Sequence, residues 1–145
     1  IAKVQLEKLD YIVEKNRKNY SIIESALLEI EGLKLRKIPK KCKPLCDTII
    51  IQFENKDIAN IFVDRIKNEG LGTKNVPDAI EWHFVEYWDH MLSYFHLDIN
   101  ELNNSIKSSR KILEKCVALP VMVKTPENAL KNQIKILNKI IKKIV

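Results

Sequence analysis

Residues 48–54, TIIIQFE, restrict the fold more than any other stretch. The run is β-branched and too short for a buried helix, so it reads as a central strand. The residues after Glu54 cannot extend that strand. Asn55 suits a helix N-cap, and KDIANIFVDRIKNE sets Ile58, Ile61, Phe62 and Ile66 on one helical face before Gly70 and Gly72 close it. A strand that runs straight into a capped amphipathic helix places the chain among mixed folds.

The remaining patterns agree. Residues 2–31 repeat apolar side chains by threes and fours at Leu6, Leu9, Ile12, Val13, Tyr20, Ile23, Leu27 and Ile30, with Asn16 on the same stripe. This predicts one long N-terminal helix, ended by Gly32. LKLRKIP alternates as a half-buried strand does, and Pro39 stops it. KKCKPLCD is a loop, and GTKN a short strand or edge. INELNNSIKSSRKILEK contains a helix, firmest from Ser105, and CVALPV is a short strand. Thr125 is expected to cap a last helix to about Lys143, with Pro126 first and Leu130, Ile134, Leu137, Ile140 and Ile141 inward. The expectation is α+β: a three- or four-stranded, mostly antiparallel sheet, with strands near 33–38, 48–54 and 117–121 and helices packed on it. Its 145 residues suit one domain (1–145), with 1–32 as a long connecting helix.

Charge and cysteine narrow the chemistry. The net charge of +6 comes from 25 Lys and Arg against 19 Asp and Glu, but only four are Arg, and the lysines are spread along the chain. That spread suits a solvated surface better than a phosphate-reading one. No apolar run is long enough for a membrane helix, and no signal peptide is visible, so a cytoplasmic protein is expected. The start without Met reads as the interior of a longer chain. Cys42 and Cys46 form a lone C-x3-C without a second ligand pair, so no metal is expected; Cys116 reads as a small buried residue. The three glycines, Gly32, Gly70 and Gly72, cannot write a nucleotide-binding loop.

Residues 79–92, AIEWHFVEYWDHML, hold both tryptophans and two of the three histidines. Flat aromatic surface beside polar tips makes a site, an interface or a polar corner of the core. His83, Trp82, Trp88 and His90 are the candidate binding residues. His83 and Glu86 stand i,i+3, as metal ligands on a helix can, but no further ligands accompany them.

AKVQLEKLDYIVEKNRKNYSIIESALLEIEGLKLRKIP resembles the start of the small C-terminal domain of the DegT-type sugar aminotransferases. Gln5, Leu6, Leu9, Asp10, Arg17, Tyr20 and Leu27 carry the likeness. CDTIIIQF with IANIFVDRIKNEGLGT resembles the family's next strand and helix, and ILEKCVALPVMVKTPENALKNQIKILNKI its closing segment. The resemblance implies the C-terminal domain of a type I aminotransferase fold, dependent on pyridoxal phosphate that the large domain holds. It implies transamination of a keto sugar with glutamate as the usual donor, and a homodimer. No catalytic or cofactor-binding residue of the family falls in this chain. Where the family reads Pro-Leu-His near the substrate, this sequence has Trp82-His83-Phe84 after Pro77. TKNVPDAIEWHF is closer to the branch that aminates an oxidised octulosonic acid, the 8-amino-Kdo pathway. Without its large domain the N-terminal helix bares apolar surface, so the chain is expected to self-associate. The competing reading is a free-standing basic module that binds a protein partner or nucleic acid.

Overall fold

In the computed structural model, which describes residues 2–92, 94 and 99–144, TIIIQFE forms the middle of the sheet. Strand β2 (Thr48–Gln52) lies between β1 (Lys34–Leu35) and β3 (Cys116–Pro120), all antiparallel. The register pairs Ile49 with Leu119 and Ile51 with Val117. These four are fully buried on the face that meets the helices. Alternation in β2 is the period-2 signature of a strand with one deeply buried face.

Three helices cover that face: α2 (Leu9–Leu28), α3 (Lys56–Asn68) and α7 (Glu127–Ile141), with α7 against both others. Helix α3 starts where the sequence predicts, with Asn55 Oδ1 accepting from the Ile58 amide at 3.0 Å. Its inward face is Ala59, Phe62, Val63 and Ile66, while Ile61 points out. At about 100° per residue those four span about 100°, and Ile61 falls roughly 100° outside that arc. Helix α7 starts at Glu127. Pro126, extended at φ −65° and ψ 155°, takes the cap position expected of Thr125, and no side chain caps the helix. Glu127 pairs instead with Lys131 at 2.8 Å. Helix α6 (Ile99–Leu113) packs on the opposite face, against β3. This is why β3 is buried on both sides while β2 is buried on one.

The expected single helix over 2–31 is two: α1 (Ala2–Leu6) and α2, broken at Glu7 and Lys8. The stripe is buried only from Asn16 onward, and Leu6 is 67% exposed. A five-residue helix without packing has little to hold it in line with the next. Asn16 and Asn19 complete the buried stripe. Asn19 Nδ2 donates to the Met122 carbonyl at 2.9 Å and so fixes the loop before α7, whereas Asn16 Oδ1 has no partner among the described residues. Strand β1 is shorter than LKLRKIP suggested, since only Lys34 and Leu35 pair with β2 before Arg36 makes one further bond to Ile50. Among the described residues no helix is long and apolar enough to cross a membrane.

Candidate functional site

The candidate segment is delivered by a short, heavily bonded connection. Gly70, at φ +77°, closes α3 in a conformation that suits glycine. The chain then meets the outer edge of β3: the Lys74 amide donates to Ala118 O at 2.8 Å, and the Ala118 amide donates to Val76 O at 3.0 Å. The edge role expected of GTKN is met by two hydrogen bonds, without a named strand. Asn75 takes φ 65°, which Asn tolerates. Asp78 accepts from Thr73 Oγ1 and from Lys67 Nζ, the latter at 3.1 Å, and Lys74 Nζ reaches Asp47 Oδ2 at 2.5 Å.

Beyond this connection come α4 (Ile80–His83), a 3-10 turn (Val85–Tyr87) and α5 (Asp89–Leu92). Trp82 is 80% exposed. His83 is exposed too, and its ring makes no hydrogen bond or ion pair with the described residues. Trp88 is half-buried and donates from Nε1 to the Trp82 carbonyl at 3.1 Å. His90 is exposed on α5. The structure therefore brings Trp82 and His83 together at one tip, with Trp88 bracing the backbone behind them. Glu86 does not form a helical pair with His83, because extended Phe84 interrupts the helix between them. It meets Arg110 Nη2 at 2.5 Å instead. Sequence reasoning missed Asp78, Thr73, Lys67 and Arg110. The rarity of Arg was the one available signal for Arg110.

The hydrogen bond from Thr73, then Lys67, holds the Asp78 carboxyl below its ordinary range against an opposing effect of burial. The hydrogen bond from Lys74 does the same for Asp47. A carboxyl depressed in the fold adds stability above its unfolded value, near 4, and loses it as pH falls through the folded value. Amide exchange of residues 73–79, corrected for intrinsic rate, is therefore expected to quicken below about pH 4, before α3 and β2 open. Asp78→Asn should flatten this response. A loop whose protection at pH 3 equals that at pH 6 would refute it. Both pairs are nearly half exposed, so the effect is local and small.

A larger cavity, about 1090 Å³, lies elsewhere. It is an open groove between α2, β1 and α6, lined by Leu28, Leu35, Ile50 and Ile112 among others, and no candidate side chain reaches it. A smaller one, about 130 Å³, lies beneath the segment, between Pro77, Ile80, Phe84, Glu86 and Arg110. The groove has an apolar wall, with Glu24, Lys34, Arg36, Lys37 and Gln52 also lining it. Among the described residues no three metal-ligating side chains come together. Cys46 and Cys116 are buried, and burial raises both thiols.

A model of the DegT/DnrJ/EryC1/StrS aminotransferase family matches residues 1–138. A search of the curated proteins finds no significant match. The fold is similar to that of aminotransferase TlmJ from Streptoalloteichus hindustanus, at TM-score 0.74 and 14% identity over 99% of this chain and 35% of that one. It is similar to 3-amino-5-hydroxybenzoic acid synthase, at 0.70 and 16% over 97% and 37%. It is also similar to the candidate sugar aminotransferase Spr1654 from Streptococcus pneumoniae in its PLP-form, at 0.72 and 12% over 98% and 34%. The chain thus spans about a third of the length of these structures.

Proposed function

The chain belongs to the DegT/DnrJ/EryC1/StrS aminotransferase family, and we propose that it acts as the small C-terminal domain of a pyridoxal-phosphate-dependent sugar aminotransferase. The observation that carries this is the family match over 1–138, on a fold that covers only a third of similar aminotransferases. In this reading the lysine and phosphate site of the cofactor lie outside this chain. Segment 79–92 has neither Lys nor Arg, and the N-terminus of α3 is already capped by Asn55. Pyridoxal phosphate, an electron sink for amino transfer, is therefore assigned to the part of the enzyme that precedes Ile1, together with its lysine.

In this reading the domain supplies a wall of the substrate pocket and part of a homodimer surface. His83 offers a ring nitrogen to a hydroxyl or carboxylate of a keto sugar, and Trp82 offers a flat face beside it. The acceptor is an oxidised octulosonic acid rather than a nucleotide sugar, in keeping with the likeness of TKNVPDAIEWHF to the branch that aminates it; the nearby cations Lys67 and Arg110 are already paired with Asp78 and Glu86. Glutamate is the donor, and the compartment is the cytoplasm.

The test compares the 145-residue chain with the longer protein, each incubated with pyridoxal phosphate and reduced with borohydride. The longer protein is expected to gain one reduced adduct, on a lysine before Ile1. A specific single-site adduct on this chain would sink the assignment.

A further inference from the structure

Every backbone hydrogen bond of residues 79–92 closes within residues 75–92, among the described residues. Backbone pairing therefore ties this segment to nothing beyond its own entry turn. Three short elements, each of three or four residues, cannot hold a shape by themselves. Ile80, Phe84 and Val85 are only half-buried, while Trp82 and His83 face outward. Among the described residues Leu92 is buried and the 3-10 turn packs on α6, and two ion pairs to neighbouring elements bracket the tip. Asp78 reaches Lys67 on α3, and Glu86 reaches Arg110 on α6. The second pair is the better buried, with Arg110 and Glu86 side chains 34% and 24% exposed. The Arg110 Nε is buried without a partner among the described residues, and Glu86 pairs with the same guanidinium through Nη2.

We propose that Asp78–Lys67 and Glu86–Arg110 form a two-point clamp that arches residues 79–85 and so positions His83. Asp78 and Glu86 are positioning residues that act through the backbone between them. Helices α3 and α6 lie against opposite faces of the sheet region, so the clamp also makes the pose of the tip depend on how α6 sits. The benefit to binding rests on the reading that this tip meets the sugar; the clamp itself does not.

The experiment uses the full-length enzyme with Glu86→Gln, Asp78→Asn, the double variant and Arg110→Lys. Amide exchange of 79–85 is read beside β2 and α3, with KM and kcat for oxidised octulosonic acid as the acceptor probe. Glu86→Gln is expected to speed exchange of 79–85 about 5-fold, with β2 and α3 unchanged, and the double variant more. Arg110→Lys keeps the charge and should retain most of the protection. KM should rise about 5-fold with kcat within about 2-fold, because the catalytic groups are untouched. Should Glu86→Gln fail to fold, Asp78→Asn at the more exposed pin gives the same reading. Unchanged exchange of 79–85 in both single variants overturns the clamp. Faster exchange with unchanged KM supports the clamp and overturns the substrate-facing reading instead.

Discussion

Phe62→Ala is expected to lower the unfolding free energy of this chain by about 3–5 kcal/mol, a large part of the ~5–15 kcal/mol typical of a domain. Phe62 is 0% exposed and stands in the middle of α3, where that helix meets β3 and α7. Its ring packs on Phe53, just past the end of β2, with centroids 4.9 Å apart and planes tilted by 43°. Removing it opens a void at the junction of sheet and helices, where neighbours fixed by strand register cannot close in. Urea unfolding of the 145-residue chain would measure the loss, and the melting temperature should fall by roughly 10 °C or more. Ile61→Ala is the control on the same helix. That side chain is 44% exposed, so the change should cost less than about 1 kcal/mol. Equal losses at 61 and 62 would mean that α3 is not docked as described.

The contrast between 61 and 62 also marks how far the sequence could be read. Local signals with a mechanism survived: the β-branched run became the middle strand, and Asn55 capped α3 because its side chain reaches a nearby amide. Those decisions are made within four residues. The exact inward face of α3 was not, because Ile58, Ile61, Phe62 and Ile66 satisfy the spacing almost as well as Ala59, Phe62, Val63 and Ile66. Only the position of β3 and α7 decides between them. Asn19 is the clearest case. Its helical position carried no signal of its own, yet its partner is a carbonyl 103 positions away. Aromatic and histidine crowding drew attention to residues 79–92, and Trp82 and His83 are exposed there. That Trp88 braces Trp82, or that Asp78 and Glu86 reach Lys67 and Arg110, depends on long-range geometry that no spacing encodes.

His83→Ala in the full-length enzyme is expected to lower kcat/KM by about 5- to 150-fold, the loss of one good hydrogen bond of ~1–3 kcal/mol to substrate. The melting temperature should stay within about 1 °C, because the His83 ring is exposed and makes no hydrogen bond or ion pair with the described residues. This separates the two roles a histidine in such a segment can have. A histidine that packs the core loses stability when removed, and activity falls with the folded fraction. One that meets substrate loses efficiency in a folded enzyme. Exposure already weighs against the first role, and Trp88, which gives its indole N–H to the Trp82 carbonyl, shows which residue does the local packing. Trp88→Phe should therefore act oppositely, lowering the melting temperature more than it lowers kcat at saturation. His83→Gln keeps a hydrogen-bonding tip and should recover part of the efficiency that Ala loses. Assayed with oxidised octulosonic acid and with a nucleotide-linked keto hexose, the His83→Ala deficit should be larger for the first, whose carboxylate and hydroxyls the imidazole can reach. Efficiency unchanged for both acceptors, at unchanged melting temperature, would remove His83 from the site and leave the exposed tip to an interface.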